Sequence, residues 1–259
     1  MDKQVVLKSS DDLQLMRESG RLLASVFDYL DPLITAGIST MEINDLADSF
    51  IIHTLNARPA SKGQYDFPYS LNTSVNEVVC HGMPSATHFL KSGDIINVDI
   101  TLEKNGFIAD SSKMYMIGEV TPLAQRLVEK TYAAMWQGIR AVKPGATLGD
   151  IGFAIQQYAR ANGYSVVREY CGHGIGREMH EAPQILHHGQ PNSGMVLREG
   201  MTFTIEPMIN QGEAKVKLKR DGWTVVTRDK KLSAQWEHTI AVTADGFEVL
   251  TLRDGEIVQ

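Results

Sequence analysis

The chain repeats itself, and the repeat limits what it can fold into. The segment from His81 to Asp99 lies over the segment from His188 to Glu206 without a gap, at an offset of 107 residues. Both open on His-Gly, both carry Leu-(Lys/Arg)-x-Gly ahead of an apolar run, and both end in an acid. A second match, Gly37–Ile43 with Gly145–Ile151, has an offset of 108. A chance coincidence of strand openers is the bland alternative, and the independent helix match argues against it. Duplication of this kind implies two related halves, about 9–118 and 119–252, each with two helices followed by strands. Related halves pack about a pseudo-two-fold axis, so Asp99 and Glu206 are expected to meet at the centre of a single domain spanning 1–259. The class is mixed α/β (α+β).

The helices are readable from their caps. A helix opens at Ser9-Ser-Asp-Asp and carries Leu13, Met16, Leu23, Val26, Phe27 and Leu30 at helical spacing. Ser39-Thr-Met-Glu42 is a capping box. Pro122 opens a third helix, and a fourth runs from Thr147 to about Ala161. Residues 58–76 are polar and punctuated by glycine and proline, which predicts a loop.

The stretch 93–114 reads as a β-hairpin turning at Asn105-Gly106. That turn sets Asp99 opposite Ser112 and Thr101 opposite Asp110. Asp99 and Asp110 then share one face as diagonal neighbours, roughly 6–8 Å apart at Cβ. Two carboxylates held so close repel unless a proton or a cation lies between them. The alternative is two solvated acids on an open face.

The second half adds Cys171-Gly-His-Gly-Ile-Gly-Arg-Glu-Met-His180. Its glycine spacing resembles a dinucleotide fingerprint, but no apolar helix follows and Pro183 comes too soon. His180-Glu181 is not a zinc-protease helix, because Gln184 stands where the second histidine belongs. A glycine-rich loop exposing His173 and His180 remains. Glu206 ends the apolar strand Thr-Phe-Thr-Ile, and Glu237 is expected in the middle of another. Asp99, Asp110, His173, Glu206 and Glu237 together are four carboxylates and an imidazole. Two divalent cations would neutralise them, a ligand set that suits a two-metal hydrolase with ions on the order of 3.5–4 Å apart.

At this point the chain resembles the methionine aminopeptidase family in its bacterial type I form. The likeness is carried by Asn76–Gly82, Asn97–Ile100, Asp110–Met114, Gly172–Arg177, Thr204–Met208, Asp221–Trp223 and Ser233–Thr239. The family's fold is the "pita-bread" (creatinase/aminopeptidase) arrangement, pseudo-two-fold halves around a curved, mostly antiparallel sheet. The resemblance implies that Asp110 and Glu237 bridge two metals, that Asp99 completes one, and that His173 with Glu206 completes the other. It implies that His180 steadies the substrate carbonyl, His81 contacts the substrate backbone, and Glu206 helps to shuttle a proton. It also implies removal of N-terminal methionine ahead of a small second residue, with the free amine bound at a metal. Glu206 and Glu237 stand 31 positions apart, which leaves no room for the helical insert of the type II form.

By the same resemblance Phe67, Met179 and Trp223 line the slot for the first side chain, with Tyr65 nearby. Asn72 stands where a cysteine is common and Met179 where an aromatic is common. The metal is expected among Co, Mn, Fe, Ni and Zn, since a mixed oxygen–nitrogen set accepts all of them. Alternative readings are an X-Pro aminopeptidase or dipeptidase of the same fold, and a metal-free protein that only binds peptides or ribosomes.

Composition narrows partners and compartment. A net charge of -6 argues against a general nucleic-acid binder, and two cysteines, Cys80 and Cys171, fit a reducing compartment. The N-terminus lacks the apolar segment of a signal peptide, so a cytoplasmic, non-membrane, monomeric protein is expected, acting on nascent polypeptide N-termini. Cys80 and Cys171 read as small fillers and His188 as a surface relic of the repeat. The run Lys215–Gly222 reads as an exposed strand and turn, or as a contact with the ribosome.

Overall fold

Asn105 and Gly106 adopt the positive φ angles of 54° and 81° that a type I′ turn demands, and the strands they join set the frame of the molecule. In this computed structural model, which describes residues 4–258, Ile95–Lys104 pairs antiparallel with Phe107–Met116. Asp99 faces Ser112 and Thr101 faces Asp110, as the turn predicts. Alternate residues take opposite faces. Ile96, Val98, Ile100 and Leu102 pack against Leu23, Phe27 and Leu30 of helix α1 (Ser10–Leu30) and Ile43 of α2 (Thr40–Ser49). Each such side chain contributes about 1.5–3 kcal/mol by leaving water. Asn97, Asp99 and Thr101 therefore face the other way, toward the second half.

The caps form as expected. Asp12 N–H donates to Ser9 Oγ at 3.2 Å while Ser9 N–H donates back to the Asp12 carboxylate at 3.0 Å. Ser39 and Glu42 repeat the arrangement at α2, and Thr147 and Asp150 repeat it at α4 (Leu148–Ala161). Helix α3 (Pro122–Arg140) is capped by Thr121. Trp136, Ile139, Ile151 and Ile155 of α3 and α4 back the second sheet through Phe203, Ile205 and Ile240. That sheet runs in the order Phe247–Val249, His238–Val242, Thr202–Ile205, Gly172–Gly174, Glu181–Ile185, with every pairing antiparallel.

Three local expectations are corrected. The segment 58–76 holds two strands, Arg58–Pro59 and Leu71–Val75, both paired to Ile95–Lys104. Leu71-Asn-Thr-Ser-Val is polar and short, so its partner rather than its own propensity makes it a strand. Gly172–Gly174 and Glu181–Ile185 are strands too, which narrows the expected loop to 175–180. Glycine is required there because a Cβ on Gly172 or Gly174 would overlap the Thr204 or Ala182 carbonyl oxygen. Glu237 lies between strands rather than within one. The chain changes partner at that point, from Met208–Asn210 to Thr202–Ile205.

The same break stitches the halves together. Glu237 N–H donates to Ser112 O at 3.3 Å, and Ser111 Oγ–H donates to Glu237 O at 2.7 Å. Asp110 N–H donates to Thr239 Oγ1 at 3.1 Å, and that hydroxyl donates back to Asp110 O at 2.7 Å. The acids are thus held by the backbone that joins one half to the other. Among the described residues no helix is long and apolar enough to cross a membrane.

Candidate active site

Asp99, Asp110, His173, Glu206 and Glu237 all line one cavity of about 760 Å³ between the halves. Each half supplies its share: the hairpin gives Asp99 and Asp110, and the second half gives the other three. Glu206 stands immediately after the strand Thr202–Ile205, at the place the repeat assigns it opposite Asp99. One ligating atom each from Asp110, His173 and Glu237 lies within 4.8 Å of the others. His173 Nε2 is 3.7 Å from Asp110 and 3.6 Å from Glu206.

The protonation states define what this cluster needs. Burial, then repulsion from the neighbouring acids, pushes Asp110 and Glu237 well above the ordinary carboxylate range. Burial raises Asp99 to about 7 and Glu206 to about 8. Burial likewise lowers His173 to about 3, so its imidazole is neutral at pH 7. His173 Nδ1 lies 3.1 Å from Gly174 O, an acceptor only, so Nδ1 carries the proton. The Nε2 lone pair then faces carboxylate oxygens. Acceptor facing acceptor is unfavourable unless a proton or a cation stands between them. Asp110 Oδ1 and Glu237 Oε2 are buried with no hydrogen-bond partner among the described residues. Each of these observations fits a divalent metal centre.

A ring of polar groups fixes Glu206, and most of it has no signal in the sequence. Thr204 Oγ1 donates to Glu206 at 2.8 Å and accepts the His173 N–H at 3.0 Å. Gln235 Nε2 donates to the other Glu206 oxygen at 3.2 Å. His187, wholly buried, accepts the Glu206 N–H at Nε2 at 3.1 Å. Only His188, its half-buried neighbour, stands out from the repeat.

The remaining expected residues surround the cluster. His180 is exposed at the mouth, its ring 4.4 Å from that of His173 and 5.9 Å from that of Tyr65. His81 has a left-handed backbone (φ 54°), and burial lowers its pKa to about 4. Phe67 and Trp223 meet edge to face at 4.9 Å, and buried Met179 lines the same cavity. Asn72, Tyr170 and Met208 line it as well. Cys80 is buried and Cys171 half-buried, and burial holds both thiols protonated, Cys171 at about 11.

Residues 14–244 match the model of metallopeptidase family M24. The chain belongs to that family. Within M24 it falls among the methionine aminopeptidases. It is 48% identical over 254 residues to the methionine aminopeptidase of Salmonella typhimurium strain LT2, covering 98% of this chain and 96% of that one. The crystal structure of methionine aminopeptidase from Rickettsia prowazekii superposes with a TM-score of 0.94 at 49% identity, covering 96% of this chain and all of the other. The Xaa-Pro dipeptidase from Bacillus anthracis shares the fold, with a TM-score of 0.75 at 23% identity, and this chain covers 63% of its length. The fold is therefore the pita-bread arrangement of M24 enzymes, and the chain is a metal-dependent exopeptidase.

Proposed function

We propose that this protein removes the N-terminal methionine of nascent proteins and peptides whose second residue is small, with two divalent ions held by the buried acids. The reading is carried by the four carboxylates and the lone pair of His173 gathered at one end of a cavity walled by Phe67, Met179 and Trp223. Asp110 and Glu237 would hold both ions, Asp99 one, and His173 with Glu206 the other. Bound there, divalent ions supply Lewis-acid activation of a water and of the scissile carbonyl. Co, Mn, Fe, Ni and Zn all suit such a donor set.

The chain's own residues do the rest. Phe67, Met179 and Trp223 take up the methionine side chain and exclude water from it, with Tyr65 nearby. His180, at the mouth, donates an N–H to the carbonyl oxygen as charge builds on it. His81 hydrogen-bonds the peptide backbone near the scissile bond. Glu206, beside the reacting groups, takes and returns a proton. The whole chain acts as one catalytic unit, monomeric and cytoplasmic. Lys215, Lys217, Lys219 and Arg220, exposed around the strand Val216–Leu218, form the edge that would meet the ribosome.

Purified protein offered Met-Ala-Ser and Ala-Pro peptides, with and without chelator, tests the reading. Free methionine is expected from the first alone, and only with metal present. Alanine released from the second peptide, or methionine release that survives chelation, would overturn it.

A further inference from the structure

The segment that precedes α1 reaches into the second half and ends in a buried cation. Lys8 Nζ lies 2.6 Å from Glu181 Oε2, with the two side chains only 3% and 12% exposed. The same ammonium donates to Val6 O at 3.1 Å, and Lys8 N–H donates to Gly200 O at 2.8 Å. The site is built for the pair. A Cβ on Gly176 would overlap Lys8 Cε and lie 2.7 Å from Glu181 Oε1.

Glu181 is the next residue after His180. Its Oε1 accepts the N–H of Arg177 at 3.0 Å and of Glu178 at 3.3 Å, so one carboxylate folds the turn that leads into His180. Elsewhere the turn is held by Ile108 N–H to Gly176 O at 2.7 Å, by Ile175 N–H to Thr202 O at 3.2 Å and Thr202 Oγ1 to Ile175 O at 2.6 Å, and by exposed Arg177, which reaches Asp12 at 3.5 Å and lies over the Phe107 ring. The carboxylate that accepts those two N–H groups is held from its other oxygen by the Lys8 ammonium, and removing one partner of such an enclosed pair leaves the other uncompensated.

We infer that Lys8 and Glu181 are positioning residues: the ion pair sets the 177–181 turn and thereby aims His180 at the substrate carbonyl. The inference rests on the aminopeptidase reading, in which His180 acts on that carbonyl. Neither residue touches substrate in this role. Its effect reaches the reaction through His180 alone, and that sets the test.

Lys8→Met removes the charge while keeping most of the volume. Assayed with Met-Ala-Ser where every variant is folded by circular dichroism, it is expected to lower kcat by roughly tenfold, a displaced donor forfeiting part of its effect. KM and bound metal should stay close to those of the unmodified protein. In a His180→Ala background the same substitution should cause no further loss. Amide exchange of residues 177–180 in the metal-free protein should be faster in Lys8→Met and in Glu181→Gln, a readout independent of turnover. The same factor lost in both backgrounds, an unchanged kcat, unchanged exchange, or a Lys8→Met chain that does not fold would each overturn the inference. Absence of methionine release from the unmodified protein would instead sink the aminopeptidase reading, with the exchange result still standing.

Discussion

Arg253 donates to the carbonyl oxygen of Ser112 at 3.0 Å, and that carbonyl also accepts the N–H of Glu237. The same guanidinium reaches Ser111 Oγ at 3.0 Å and Glu256 at 3.0 Å, and lies over the rings of Phe27 and Trp236. Only 4% exposed, Arg253 ties the C-terminal segment to the place where the two halves join under the acids. Arg253→Met leaves Glu256 and the Ser112 carbonyl without this donor. The expected cost is about 3–5 kcal/mol, the scale for breaking a buried pair, or roughly 10 °C in melting temperature for a chain of this size. Calorimetry of metal-free protein checks it; a shift under about 2 °C would remove Arg253 from this role.

Glu256 gives a pH signature. Burial works against its ionised form, but bonds to His238 and Arg253 outweigh burial and hold its pKa well below the usual range. Burial and Arg253 lower His238 to about 4, so the imidazole is neutral at pH 7 and Arg253 is the charge that Glu256 meets. A depressed folded-state pKa means the unfolded chain binds the proton more readily. The stabilisation is therefore present in full above the unfolded value of about 4.3 and fades as pH falls below it. Urea melts of the unmodified protein and Glu256→Gln should differ most near neutrality, and the difference should shrink steadily as pH falls below about 4. A gap that stays constant with pH would show that Glu256 acts by packing alone.

Glu237 separates stability from metal binding. Its carboxyl is buried among like charges, so metal-free Glu237→Gln should be at least as stable as the metal-free parent at pH 8. Adding metal should raise the parent's stability by about 2.7 kcal/mol at a hundred times its dissociation constant, and the variant's hardly at all. Activity and bound metal should vanish together. A metal-replete, active Glu237→Gln protein would contradict the bridging role.

The parts of this arrangement visible in the sequence are those that depend on local rules. The Asn105-Gly106 turn fixes a register, and the register places Asp99 beside Asp110 before any tertiary contact is known. Ser39-Thr-Met-Glu42 announces its helix for the same reason, since donor and acceptor sit three residues apart. Glu237 was recognisable as an acid in apolar company, but its break between strands depends on Thr202–Ile205 and the hairpin, both distant in sequence. His187, Thr204 and Gln235 are ordinary residues until the fold brings them to Glu206. Lys8 sits in Val-Val-Leu-Lys-Ser-Ser, where nothing local distinguishes it from a solvated lysine, because its partner is 173 residues away. The resemblance to a known family supplied the roles of His81 and His180, which spacing alone left open.

His180 carries the last expectation. It is exposed and belongs to a turn, whereas the acids are fixed by the backbone joining the halves. Truncating it therefore leaves the metal-binding groups in place. His180→Ala should bind metal as the parent does and keep its melting temperature, while kcat on Met-Ala-Ser falls roughly 10²–10³-fold, the usual effect of losing one donor to a developing oxyanion. KM should change little, because the bond matters most once charge has built on the oxygen. Steady-state kinetics alongside metal analysis checks both halves of the claim. Near-normal turnover would take His180 out of the chemistry, and loss of metal would move it into the ligand set.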